Sequence, residues 1–368
     1  MKVGILTFHK ANSYGANLQA YALYNVLHQL GCDVEIIDYR CKAIEDVYKS
    51  ECFPKIRKNI VAYIRNVFIY SCVHKDDLKK INQFNKFRSR MNMSASVLTM
   101  EDKISIEQRY DIIITGSDQI WNTKLTKGPN DWYCYKKQSN EQLVVASYAA
   151  SVGSVVNFSE NEKYFLPILK EYNYIGVREN DLQQYLQDKL KCKVYQTLDP
   201  TLLIDNCVWD KLAGDTPIVE GNYILNFDVQ KNLVSEKFAE LYAEKNNRKI
   251  VVFDVHTLSF GRKIAVRDAG PIEFLNIIKF ADAIVSSSFH GIALSISFHK
   301  KIFPSLHPTT GVRVLSLLKN LGLEEQVIYS SSDYMKALKN GDIDYLKVEN
   351  KLSSLRKDSM SYLFSIVK

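Results

Sequence analysis

Glycine and proline are scarce in this chain, 15 and 8 in 368 residues, and there are only seven cysteines. So little glycine and proline excludes a collagen-like or low-complexity chain. The cysteines, at 32, 41, 52, 72, 134, 192 and 207, are odd in number and scattered, with no CxxC pair. That excludes a disulfide framework or zinc knuckle and predicts reduced thiols in the cytosol. No apolar run approaches the roughly 20 residues of a membrane span. Met1 to Leu6 leads directly into a strand, so no secretory leader is expected and the protein should be soluble or at most peripheral. A dominant charge is also missing. The 48 Lys plus Arg against 41 Asp plus Glu leave +7, with acids and bases interleaved, which falls short of a nucleic-acid footprint. The mild excess suits a small anionic ligand or an anionic membrane surface.

The familiar cofactor and catalytic signatures are absent too. The first loop, His9 to Gln19, has one glycine and no GxGxxG spacing; there is no GxxxxGK[ST], no HExxH and no His/Asp metal cluster. Ser151 is not in a GxSxG elbow. No cofactor and no metal is therefore expected.

What is present is alternation. Val3 to Phe8 reads as a strand, Ala16 to Leu30 as a helix closed by Gly31, and Val34 to Asp38 as a second strand. Residues 43–100 break the pattern with helical, Lys-, Arg- and aromatic-rich sequence and read as an insertion. Strands are expected again at 110–115, 143–148, 173–177 and 194–198. A second set follows, with strands at 222–227, 249–255, 282–286 and 301–304 separated by helices, and a last helix near 349–366. The expected fold is α/β: two Rossmann-like domains facing a cleft, at 1–215 and 216–345, with a C-terminal helix at 346–368 packing back on the first.

Two segments place polar groups where such sheets bind ligands, at the carboxyl ends of strands. In Asp111 to Asn122, an apolar strand ends in Gly116, Ser117, Asp118 and Gln119, which serve either as a helix cap or as a site. In Ala283 to Phe298, Ser286 to Ser288 leave a strand and His290-Gly291 opens a helix, whose free N–H groups favour phosphate or carboxylate. His290 there adds a proton or a hydrogen bond, or merely caps the turn. Arg178 follows another strand and Arg313 begins a helix; each suits a bidentate anion grip or an ordinary pairing with nearby acids. Lys55 to His74 mixes Lys55, Arg57, Lys58 and Arg65 with aliphatic and aromatic residues, a pattern of an amphipathic helix on an anionic membrane or against its own domain.

In order along the chain, these and further segments resemble the polysaccharide pyruvyl transferase family. They are Asn17-Leu18-Gln19-Ala20-Tyr21-Ala22-Leu23, Gly116-Ser117-Asp118-Gln119-Ile120-Trp121-Asn122, Tyr148-Ala149-Ala150-Ser151-Val152-Gly153 and Val177-Arg178-Glu179. Then follow Asp199-Pro200-Thr201-Leu202-Leu203, Gly270-Pro271-Ile272-Glu273-Phe274, Ser288-Phe289-His290-Gly291, and Arg313 ahead of Leu321-Gly322-Leu323. The resemblance implies a GT-B-like fold. It also implies an enzyme that moves the pyruvyl unit of phosphoenolpyruvate onto two hydroxyls of one sugar, as a cyclic ketal, with release of phosphate. By motif, the family's functional histidine falls on His290 and its strand-end arginine on Arg178, with Arg313 the basic residue after the histidine-bearing helix, although Lys300 and Lys301 lie nearby. His290 and Asp118 are then the catalytic candidates, and Arg178, Arg313, Ser288 and Gly291 the phosphoenolpyruvate-binding ones. Asn17, Gln19, Ser117, Gln119 and Ser151 line the acceptor side or cleft. The implied partner is a sugar of a surface polysaccharide or its polyprenyl-linked precursor, met on the cytoplasmic side, with 55–74 touching the membrane. A nucleotide-sugar glycosyltransferase with Asp254 or Glu273 on the ribose, and a non-catalytic glycan-binding protein, are the rival readings.

Overall fold

Near-continuous apolar runs such as Val3-Gly4-Ile5-Leu6 and Ile112-Ile113-Ile114 suit strands covered by helices on both faces, and helical crossovers make such strands parallel. In the computed structural model, which describes residues 1–48, 75–97, 99–253, 261–306 and 311–368, they form two parallel sheets. The 55–74 segment and Asp254 lie outside the described residues. The first sheet uses β1 (Lys2–Leu6), β2 (Asp33–Tyr39), β3 (Met93–Val97), β4 (Ile112–Asp118), β5 (Val144–Ala150), β6 (Tyr174–Val177) and β7 (Tyr195–Gln196), in the order β3-β2-β1-β4-β5-β6-β7. The second uses β8 (Tyr223–Phe227), β9 (Lys249–Val252), β10 (Lys263–Ala265), β11 (Ala283–Ser286) and β12 (Lys301–Pro304), in the order β10-β9-β8-β11-β12.

Each sheet therefore reverses its winding once, between β1 and β4 in the first and between β8 and β11 in the second. Loops diverge at such a reversal and leave a crevice at the carboxyl ends of the strands. Two elements differ from the sequence expectation. β3 lies inside the stretch expected to be wholly helical, and β10 has no counterpart in the expected strands. Both are edge strands paired on one side only, half-exposed and short, so neither shows an apolar run.

The two sheets do not hang on a loose linker. One apolar cluster runs from β1 and the first helix, Tyr14–Gln29, through Phe289, Ile292 and Ala293 of the helix Phe289–Ser297 to Leu352 and Tyr362 of the final helix, Tyr345–Ile366. That final helix follows the second sheet in sequence but packs on the first. Tyr362 donates to the Ser147 carbonyl at 2.7 Å, Ser359 accepts from the Leu198 N–H at 2.9 Å, and Arg356 donates to the Leu202 carbonyl at 2.7 Å. The Tyr362 ring is fully buried, with its centroid 4.6 Å from that of Tyr195 and 6.2 Å from that of Tyr148. Among the described residues, no helix is long and apolar enough to cross a membrane.

Replacing a buried aromatic with alanine costs about 3–5 kcal/mol through lost transfer energy and the cavity left behind. Tyr362→Ala is expected to lower unfolding stability by that amount, and Tyr362→Phe by only about 1 kcal/mol for the lost hydrogen bond. Urea denaturation of the two variants checks both.

Candidate functional site

The two crevices face each other, and Asp199 sits between them. It precedes Pro200, and one carboxylate oxygen caps the short turn Pro200–Leu202, accepting from the Thr201 N–H at 3.0 Å and the Thr201 hydroxyl at 2.7 Å. The other oxygen accepts from Arg178 Nη1 at 2.8 Å and the Ser117 hydroxyl at 3.1 Å, and lies 3.4 Å from His290 Nε2. The Asp199 side chain is 0% exposed. Burial pushes this carboxyl up, but the His290 imidazole and the Arg178 guanidinium outweigh burial and hold it far below the ordinary carboxylate range.

Arg178 leaves the end of β6, as expected of a strand-end arginine. Its Nε also donates to Glu179 at 3.3 Å, and its guanidinium lies 4.3 Å from the centre of the Phe289 ring. That contact crosses from the first sheet's loops to the second sheet's helix. Arg313, on the helix Gly311–Leu321, joins the same cluster. Loss of water around it, with the Arg178 charge acting in the same direction, pushes its guanidinium down to about 10. Its Nη atoms lie 3.1 and 3.3 Å from one end of the Gln119 amide, which accepts from them when its oxygen is turned that way. The neighbouring Lys301 instead turns to the Asn340 carbonyl and Asp342.

The cluster keeps unspent donors. Arg178 Nη2 and Arg313 Nε are buried without a hydrogen-bond partner among the described residues, and His290 Nε2 faces only the Asp199 carboxylate, at 3.4 Å. A buried donor left unpaired costs about 1–3 kcal/mol. Two such guanidinium donors beside the imidazole make a cradle that an anion with several oxygens would satisfy. The His290 ring is positioned by Gly15. A Cβ built on Gly15 would stand 2.1 Å from His290 Nδ1, so only glycine lets the first helix approach the imidazole.

The remaining sequence candidates divide into those near the cluster and those spent on building it. Ser117 and Asp118 belong to β4 and do not cap a helix; Asn122 is the cap of the short helix that follows. Asp118 is half-buried with φ 75°, and its carboxylate accepts from the Gln119 N–H at 2.8 Å. The Ser288 hydroxyl caps its helix by accepting from the Gly291 N–H at 3.3 Å, so these two groups meet each other and the expected anion contact through them is not what the geometry shows. Gly291 is needed for close packing, since a Cβ there would come within 2.8 Å of Ser286 Oγ. Asn17 donates to the carbonyls of Ala11 and Ser13, and Gln19 donates to Thr7 and accepts from the Ser117 N–H at 3.2 Å. Ser151 accepts from the Gly153 N–H. All three side chains are fully buried, so they shape the first sheet's crevice without meeting an acceptor there. Glu273 caps its own helix at the Gly270 N–H, which leaves the expected ribose contact without support.

Three contributors had no place in the sequence reading. Asp199 stood in a quoted motif without a role. Asp228, at the end of β8, accepts from the Ser287 N–H and hydroxyl, both at 2.6 Å, and so fixes the turn before His290; its polar side chain after the apolar run Tyr223-Ile224-Leu225 was the available signal. Arg88 lies inside the supposed insertion and makes six hydrogen bonds, five of them to the His9–Gln19 stretch. It donates to the carbonyls of His9, Lys10 and Ala11 and to the side chains of Asn12, Asn17 and Asn85. Burial, aided by the Arg40 charge, pushes it down to about 10. No local pattern in the sequence marks it. Among the described residues, no three His, Cys, Asp or Glu side chains gather as a metal site.

The family model for polysaccharide pyruvyl transferase matches residues 14–304. No curated protein matches the chain. Among solved structures, UDP-GlcNAc 2-epimerase from Neisseria meningitidis bound to UDP-GlcNAc is similar at 9% identity, covering 100% of this chain and 99% of that one, with a TM-score of 0.54. The UDP co-structure of S. aureus MnaA is similar at 12% identity, covering 98% and 91%, with a TM-score of 0.51. An alpha-glucosyltransferase in complex with UDP and a 13-mer DNA containing a HMU base is similar at 10% identity, covering 99% and 95%, with a TM-score of 0.52. At these identities the likeness is one of fold, the GT-B-like pairing of two Rossmann-like lobes.

Removing one member of a buried ion pair costs about 3–5 kcal/mol because the other charge is left uncompensated. Asp199→Ala is expected to lose that much at neutral pH. A depressed carboxyl stabilises the fold above the unfolded value of about 3.9 and loses its contribution as pH falls below it. The gap between wild type and variant should therefore narrow only below about pH 4, as denaturation across pH will read. Gly15→Ala is expected to displace the His290 ring, visible as a changed His290 imidazole resonance in NMR spectra.

Proposed function

Because the chain belongs to the polysaccharide pyruvyl transferase family, we propose that it transfers the pyruvyl group of phosphoenolpyruvate to two hydroxyls of one sugar. The product is a cyclic ketal, and phosphate is released. The observation that carries this reading is the cradle of unpaired buried donors on Arg178 and Arg313, beside His290 and the Asp199 carboxylate it pairs with. Phosphoenolpyruvate is small and carries up to three negative charges, so it needs cations and N–H donors more than apolar surface. Such a ligand gives both guanidinium groups the partners they lack.

In this mechanism His290, as imidazolium, gives a proton to the methylene carbon of the bound donor. Positive charge develops at C2 and a sugar hydroxyl adds there. Phosphate then departs, eased by the guanidinium groups of Arg178 and Arg313, and the second hydroxyl closes the ring. Of the two hydroxyl protons, one restores the imidazolium and the other leaves with phosphate, so the enzyme ends as it began. Asp199 steadies the imidazolium throughout, as a buried carboxylate 3.4 Å from Nε2. Asp118 at the end of β4 is the first candidate to orient the incoming hydroxyl. The acceptor is a sugar of a surface polysaccharide or its lipid-linked precursor, met at the cytoplasmic face of the membrane.

A general acid contributes about 10²–10⁴-fold, so His290→Ala is expected to slow phosphate release at least a hundredfold, measured where the variant is still folded. Phosphoenolpyruvate should raise the melting temperature of the wild type and UDP should not. Stabilisation by UDP alone, or near wild-type turnover in His290→Ala, would overturn the reading.

A further inference from the structure

A cavity of about 170 Å³ is lined by Arg178 and Arg313 together with Ser316 and Asn320 of the helix Gly311–Leu321 and Leu355 and Asp358 of the final helix. A cavity of roughly 150 Å³ admits one six-membered ring, so this one suits a single sugar unit. The family match ends at residue 304, and the lining side chains contributed by these two helices, Arg313 included, all lie beyond it. Neither His290 nor Asp118 lines this space.

The lining differs in kind from that of an anion site. Its cations are Arg178 and Arg313, which the donor already claims; the other polar groups are hydroxyls, amides and carboxylates, beside several leucines. Asp358 is exposed, and a carboxylate at the rim repels a second anion. The same carboxylate accepts hydrogen bonds from two adjacent hydroxyls, and an amide such as that of Asn320 both donates and accepts. Leucine beside these groups covers the C–H face of a sugar ring. The cavity shares Arg178 and Arg313 with the donor cradle, so the two spaces adjoin.

We propose that this cavity is the acceptor site and that Asp358 and Asn320 read the hydroxyl pair that receives the pyruvyl group. The proposal rests on the pyruvyl-transfer reading. It adds to Asp118, which orients the attacking hydroxyl, a binding contact on the final helix, so that the same helix that clamps the first sheet also selects the sugar.

The test uses the full chain loaded with phosphoenolpyruvate and the methyl glycosides of galactose, glucose and mannose as probes, read by saturation-transfer NMR. Wild type is expected to give ring-proton signals from at least one glycoside. Asn320→Trp fills the cavity and should abolish them. Asp358→Asn is exposed and safe for folding, and should weaken glycoside affinity about tenfold, the worth of one hydrogen bond to a charged group. Both variants should keep their stabilisation by phosphoenolpyruvate, measured in parallel. Glycoside signals unchanged in both variants, no signal from any glycoside with wild type, or affinity that falls in Asp118→Asn but not in Asp358→Asn would overturn the proposal. Failure of phosphoenolpyruvate to stabilise the wild type would instead sink the pyruvyl-transfer reading itself.

Discussion

A carboxylate with no access to water survives in a folded protein only if charges and donors replace the water it has lost. Asp199 meets that demand with groups drawn from separate parts of the chain: Arg178 from the end of β6, Ser117 from β4, Thr201 from its own turn and His290 from the second sheet's helix. Satisfying this one group fixes where three loops end and how closely the two lobes meet. The rest of the cluster follows from it. Arg178, once held by Asp199 and Glu179, can lie over Phe289, and His290, once set against Gly15, faces the carboxylate.

The balance of charge around Asp199 also gives the site its character. Two carboxylates, Asp199 and Glu179, pair with Arg178, while Arg313 sits beside that pair with its guanidinium pushed down by loss of water and by its like-charged neighbour. A cation in that position gains more from an incoming anion than a solvated surface arginine would, because the ligand relieves both penalties at once. The fold supports this by rigidity. The apolar cluster shared between the lobes and the return of the final helix to the first sheet hold the cluster's members in place without the ligand.

Much of this was legible along the chain. Apolar runs of four to eight residues marked the central strands of both sheets, and polar residues directly after them marked Ser117, Asp118, Arg178 and His290 as crevice groups. The same rule applied to Asp228 would have found the residue that holds the turn before His290. Where the reading failed, the cause was physical. Edge strands such as β3 and β10 bury too little to carry an apolar pattern, so Met93–Val97 was absorbed into a helical insertion. Ser288, Gly291, Asn17 and Gln19 were sorted with ligand contacts because a polar group near a strand end looks the same whether it meets a ligand or a backbone N–H.

The sequence by itself determined the α/β alternation, the strands that could be central, and the short list of groups fit to hold an anion, because periodicity and residue chemistry are local properties. Tertiary structure alone decided which of those groups share a space. Asp199 and His290 are 91 positions apart, and Arg88 reaches a first loop more than 70 residues earlier. Whether a side chain is paired or left with an open donor depends on what the distant chain places against it. Composition and spacing along the backbone hold no record of that distance.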